Sequence, residues 1–280
     1  MISKEVAFYG NLTAQTPFNS DQLLVEISST HIAAVLKLAA TNSIGAFELF
    51  HFDNLETNWL NIFYQVRNES KILNRGYIDT KVYYHFPQFV LVPAKYNQEQ
   101  AKVFFESFHG AKATDVIKFE SIPQTQSFYI TYAIQKSLND MVNGNMMMVS
   151  ARSSYAAIVN QLLHPNRPFT SQLVKLVVYH QFVTIAICVN GQLLFIQSFE
   201  AKTPEDILYH LINSVQMHQI VIESSVLELS GFIDVKSLLM DYLKKVFPNI
   251  HFEKLDETKQ FHTDLAKYDE HVLTPYFNLV

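Results

Sequence analysis

Glu26 stands at the end of one apolar run, two residues before Ser28, and Ser29 follows directly. A strand-end carboxylate beside a serine turn can serve the local backbone. His180, in Val178-Tyr179-His180-Gln181, and Ser230 with Gly231, in Leu229-Ser230-Gly231-Phe232, end two further apolar runs. Other site chemistry finds little material. The chain has 11 histidines, yet no pair has the i, i+4 spacing around a glutamate that marks a helical zinc site. His210 and His218 are too far apart along their helix to suggest a metal role. Ser230 follows Glu228 and Leu229 rather than the glycine of a nucleophile elbow. Cys188 is the single cysteine, inside a strand-like run, and reads as a small core residue. Only 7 glycines occur in 280 residues, where about 20 is usual. Phosphate loops, which need glycine so that backbone N–H groups can converge on an anion, have little to be built from.

These residues are positioned by a pattern that occurs twice. Leu173–Val178, Phe182–Val189 and Leu193–Phe199 read as three strands. The last two are joined by Asn190-Gly191, the strongest short-range signal for a hairpin turn with positive φ at both positions. Thr203-Pro204-Glu205-Asp206 then opens a helix, with Thr203 as cap and Pro204 at the first helical position. The same order, strand, strand, strand, helix, runs from Leu23 to Asn68: strands at Leu23–Ile27, Ile32–Leu38 and Ile44–Phe52, then a helix from about Thr57. Val82–Tyr84 and Phe89–Val92 are strand-like. Asn97 and Gln100 form a capping box for a helix whose apolar face is Ala101, Phe104, Phe105 and Phe108, with Gly110 at its end. Strands at Asp115–Phe119 and Phe128–Ile134 suggest a small insertion around residues 111–134. A helix over Lys136–Met141, a strand over Met146–Val149 with its methionines in the core, and a helix from Tyr155 to Leu163 follow.

The segment His164-Pro165-Asn166-Arg167-Pro168 is the expected hinge, giving an N-terminal lobe of residues 1–165 and a C-terminal lobe of residues 166–280. The second half continues with a strand at Val226–Leu229, a helix from about Asp234 to Val246, a strand at Ile250–Phe252, and a tail from Asp264 that is helical in part. Met1–Asp21 reads as a loosely structured lead-in with an edge strand near Val6–Phe8.

Composition narrows the function classes. A hydrophobic content of 49% supports real cores, and the net charge of -5 comes with 21 basic residues scattered singly. The electrostatic footprint of a nucleic-acid binder is missing, and Tyr and Phe follow strand and helix periods rather than forming a stacking surface. No run approaches 18 apolar residues, and the first residues lack the apolar core of a secretory signal, so a cytoplasmic protein without membrane insertion is expected.

Two consecutive βββαβαβα units joined by a hinge resemble the actin-like ATPase superfamily, with its ribonuclease H-like fold. Over nearly its whole length the chain also resembles a bacterial domain-of-unknown-function family with that fold, distantly similar to actin-like pilus-assembly proteins. The residues behind the closer resemblance are Asn190-Gly191-Gln192-Leu193-Leu194-Phe195, Ser198-Phe199, Thr203-Pro204-Glu205-Asp206-Ile207-Leu208-Tyr209 and Leu229-Ser230-Gly231. The resemblance implies an α/β fold of two duplicated lobes around a cleft, with three turns that contact nucleotide in working members. At the first, Glu26-Ile27-Ser28-Ser29 stands where the superfamily has Asp-x-Gly-Ser/Thr; a carboxylate is kept, one methylene longer, and the glycine is lost. At the second, Val178-Tyr179-His180-Gln181 offers neither the Asp nor the glycines. At the third, Ser230 and Gly231 keep one glycine of the adenosine turn, and Phe232 replaces the other. The expectation is a degenerate nucleotide site at Glu26, Ser28, Ser29, His180, Ser230 and Gly231, with no catalytic residue, no metal site and no cofactor. Such a protein would bind or scaffold a protein partner, and could self-assemble. The alternative is a divergent ATPase or kinase using ATP with Mg²⁺.

Overall fold

The computed structural model describes residues 2–10, 21–52, 58–110, 112, 114–125, 127–165, 167, 170–255 and 267–279. Thr57, Asn166, Pro168 and Asp264, at which a helix start, the hinge and the tail were placed, lie outside them, as do Met1 and residues 11–20 of the lead-in. The described residues form two compact units. The first runs to Ala157 and includes Leu279; the second runs from Ile158 and takes in Lys267–Asn278.

In the first unit the elements are β1 (Ile2–Tyr9), β2 (Gln22–Ser28), β3 (His31–Leu38), β4 (Ser43–Phe52), α1 (Trp59–Glu69), β5 (Asp79–His85), β6 (Phe89–Pro93), α2 (Gln98–His109), β7 (Asp115–Ser121), β8 (Phe128–Gln135), α3 (Lys136–Asn145), β9 (Val149–Ser153) and the start of α4 (Ser154–Leu162). The main sheet has the order β1-β4-β3-β2-β5-β9. Its inner strands are nearly continuous apolar runs because both faces are covered. Asn58 caps α1 by accepting from the N–H groups of Leu60 and Asn61, and Asn97 with Gln100 forms the capping box of α2.

In the second unit the elements are β10 (Gln172–Val178), β11 (Phe182–Val189), β12 (Gln192–Glu200), α5 (Pro204–Met217), β13 (Val226–Gly231), α6 (Leu238–Val246), β14 (Ile250–Phe252) and α7 (Glu270–Phe277). Asn190 and Gly191 have φ of 51° and 76°, the backbone of a type I′ turn. Thr203 and Asp206 form the capping box of α5. The sheet order, β12-β11-β10-β13-β14, repeats β4-β3-β2-β5-β9 of the first unit. Val174, Leu176 and Val178 of β10 bury one face of this sheet against Ile207, Leu211 and Val215 of α5 and Leu239 and Leu243 of α6.

Several local expectations differ from the structure, each for a packing reason. The lead-in is better ordered than expected: Ile2–Tyr9 is an eight-residue strand paired antiparallel to β4, with Val6 and Phe8 buried. Phe89–Val92 belongs with the inserted pair, because β6 finds its partner in β8 and makes a separate sheet, β6-β8-β7. Helix α3 continues through Asn143 and Gly144, so the strand after it starts only at Val149. Met147 and Met148 are therefore exposed turn residues, not core, and Met148 has a φ of 45°. Only Ala101 and Phe105 of α2 are buried; Phe104 and Phe108 stay exposed, since a three-stranded sheet covers only a narrow stripe of the helix. Helix α6 begins at Leu238 rather than near Asp234, whose carboxylate instead accepts from the Lys236 N–H in a turn before the Ser237 cap.

Candidate functional site

The hairpin between β2 and β3 gathers Glu26, Ser28 and residues that the sequence did not single out: His31, His85 and Ser154. Glu26 is 1% exposed, on β2, the first strand of a central antiparallel pair with β3. Its Oε2 accepts from the Ser154 hydroxyl at 2.6 Å, and Nδ1 of His85 lies 3.6 Å from the same oxygen. Burial alone would raise this carboxyl. Hydrogen bonding from His31 and His85 outweighs burial and holds it down at about 2. Burial also drives His31 below its ordinary range, to about 4, against the pull of Glu26. At neutral pH His31 is thus uncharged, and one tautomer satisfies its ring: Nε2–H donates to Glu26 Oε1 at 2.9 Å, and Nδ1 accepts from the Ser28 hydroxyl at 2.8 Å. Ser28 Oγ in turn accepts from the N–H groups of Thr30 and His31, at 3.1 and 3.0 Å.

This chain of serine, histidine and glutamate has the residue types of a nucleophilic relay, but all three side chains are buried and the hydroxyl is turned toward its own loop. It satisfies a buried carboxylate and stiffens the turn. Ser29, next to it, is half-buried at the tip. His31 could have been suspected from its place three residues after Ser28. His85 and Ser154 left no such signal, because they come from strands and helices far along the chain.

The matching hairpin, between β10 and β11, is built from aromatic rings. Tyr179 donates its backbone N–H to the Phe182 carbonyl at 2.9 Å, and the two rings stack with centroids 4.5 Å apart. His180 is exposed and lies flat on Phe232, with centroids 4.7 Å apart and an interplanar angle of 11°. Phe232 follows Gly231, the last residue of β13, so this stack joins the second and third sequence-predicted turns within one unit. Gly231 has a φ of 87°, and a Cβ there would lie 2.0 Å from the Val178 carbonyl oxygen. That oxygen accepts from the Phe232 N–H at 2.8 Å. Glycine is therefore required by close strand-to-loop approach as well as by φ. Ser230 Oγ is buried without a hydrogen-bond partner among the described residues.

A second buried polar group lies on the other face of the β10 sheet. Lys175 and Glu228 are paired in register on β10 and β13. The Lys175 ammonium donates to Glu228 at 3.0 Å, to Gln161 at 3.2 Å and to Glu253, while Arg167 also pairs with Glu228. Burial would raise Glu228, but Lys175 and Arg167 hold it at about 2. Two cations facing two carboxylates balance one another, the arrangement of a structural network.

The repeated sheet order and the three turns define an actin-like ATPase fold, and comparison with solved structures agrees. A Bacteroides thetaiotaomicron protein with an actin-like ATPase fold and unknown function superimposes with a TM-score of 0.76 at 20% identity, covering 87% of this chain and 94% of that one. A structure of the PilM-PilN type IV pilus biogenesis complex superimposes with a TM-score of 0.60 at 10% identity, covering 94% and 97%. The chain belongs to the family described as protein of unknown function (DUF3822), whose model matches residues 13–250. No curated protein matches its sequence. No helix among the described residues is long and apolar enough to cross a membrane.

Proposed function

We propose that this chain is a non-catalytic actin-like-fold protein that binds or scaffolds a protein partner, in the cytoplasm, around a degenerate nucleotide site. One observation carries the reading: the Glu26 carboxylate, at the position where the superfamily has its magnesium-organising Asp, is enclosed and already bound by His31 and Ser154. A hydrated Mg²⁺ needs carboxylate oxygens that water can reach, in near-octahedral geometry. The His180–Phe232 stack supports the same reading, since it puts two rings over turns that in working members are glycine-rich. A single cysteine buried in β11 is in keeping with a reducing compartment, and the PilM-PilN relative displays the fold inside a two-protein complex.

Calorimetric titration of the full chain with ATP and Mg²⁺ tests this. The expected result is no saturable heat up to about millimolar nucleotide, a free energy weaker than about -4 kcal/mol. Micromolar, Mg²⁺-dependent binding would overturn the proposal and favour a divergent ATPase.

A further inference from the structure

The buried network around Lys175 is uneven. Glu228 uses both of its oxygens, one toward Lys175 and the other toward Arg167. Glu253 uses one. Its Oε1 accepts from Gln161, from Lys175 and, at 3.1 Å, from the Asn278 amide, while its Oε2 is buried without a hydrogen-bond partner among the described residues. Ser230 is its neighbour on β13. Leu229 pairs with Phe252, the Glu253 N–H continues that ladder to the Leu229 carbonyl at 2.8 Å, and the fully buried Ser230 hydroxyl is likewise unpartnered among the described residues. A buried oxygen without a donor carries its full desolvation cost, which contact with water removes.

Glu253 also stands where the chain changes units. The described chain enters the second unit at Ile158, inside α4, and leaves it at Asn278, the C-cap of α7. Gln161 lies in the turn just past the first point, and Asn278 is the second. One carboxylate oxygen therefore holds the chain at both.

From these features we propose that Glu253 is a releasable clasp, which holds the last turn of α4 and the C-cap of α7 when closed and lets the two helix ends loosen together when open. In the open form water reaches both Glu253 oxygens and the Ser230 hydroxyl, so the hydrogen bonds lost from Oε1 are offset by hydration of two atoms that had no donor. No charge is stranded, since Lys175 and Arg167 stay paired with Glu228. The opening is confined to this face of the sheet, because Val174, Leu176 and Val178 pack with α5 and α6 on the opposite one. The inference does not depend on whether nucleotide binds.

Amide hydrogen exchange of the full chain reads the opening directly. Asn278→Ala is expected to speed exchange about tenfold in the last turn of α4 as well as at the end of α7, and Gln161→Ala to do the same at α7 as well as at its own helix, each through loss of one hydrogen bond to the shared oxygen. Ser230→Ala removes one orphaned oxygen from the closed form and should slow exchange at both ends, about threefold. The amides of α5 and of the β11–β12 hairpin should exchange as in wild type in all three variants, which shows that each is folded. Substitutions at Gln161 and Asn278 that each loosen only their own helix overturn the proposal. So does a Ser230→Ala chain whose two helix ends exchange as fast as wild type or faster.

Discussion

The hairpins β2–β3 and β10–β11 occupy the same place in the two duplicated sheets and have equal loops, Ser28-Ser29-Thr30-His31 against Tyr179-His180-Gln181-Phe182, between the pairs Ile27–Ile32 and Val178–Val183. One is closed by hydrogen bonds among a serine, a histidine and a carboxylate; the other by stacked rings. The polar hairpin is the more deeply buried at its functional-looking residues, while His180 of the aromatic one is exposed. Residue types suited to chemistry can thus be consumed by structure, and the ring that looks merely structural is the one that solvent meets. Ser28 shows how the polar solution works: its hydroxyl accepts from the backbone N–H groups of Thr30 and His31 and donates to the His31 ring.

The contrast is broken most forcefully at Glu26. Glu26→Leu removes the acceptor for His31 and Ser154 and strands buried donors, so unfolding by urea should show a loss of about 3–5 kcal/mol. A loss below about 1 kcal/mol, the range of exposed polar contacts, would mean that the polar hairpin is not held as described.

Acid sharpens the comparison next. His31 has a folded pKa of about 4 against an ordinary 6.5, so below 6.5 the unfolded chain takes up a proton that the native state refuses. Stability should decline as pH falls from about 6.5 to about 4, with a slope approaching about 1.4 kcal/mol per pH unit. Glu26, held at about 2 against 4.5, adds stability that is present above 4.5 and is lost as pH falls toward 2. Urea midpoints measured across this range should flatten between pH 6.5 and 4 in His31→Gln. An unchanged slope in the variant would assign the acid sensitivity elsewhere.

The smallest effect belongs to the aromatic side. A double-mutant cycle of His180→Ala and Phe232→Ala should give a coupling of about 0.5–1.5 kcal/mol in thermal or urea unfolding, the value of a stacked pair. Zero coupling would reduce the stack to two neighbouring rings.

Much of the architecture was legible locally. The Asn190-Gly191 turn, the Asn97–Gln100 and Thr203–Asp206 boxes and the apolar periods follow from φ preferences, orphan N–H groups and one-sided burial, which a short window of sequence contains. The candidate site was only half legible. Glu26, Ser28, Ser29, His180, Ser230 and Gly231 could be singled out from their places at the ends of apolar runs, but Ser154, 128 residues from Glu26, could not be matched to its carboxylate without the fold.

The amino-acid sequence by itself determined the repeated order of strands and helices, since periodicity, capping and turn chemistry act between near neighbours. Only the tertiary structure decided that β6 leaves the main sheet, that Met148 and Phe108 face water, and that Glu26 is sealed among His31, His85 and Ser154. Strand partners and burial depend on which distant segments arrive at the same place, and no local pattern of side chains encodes that arrival.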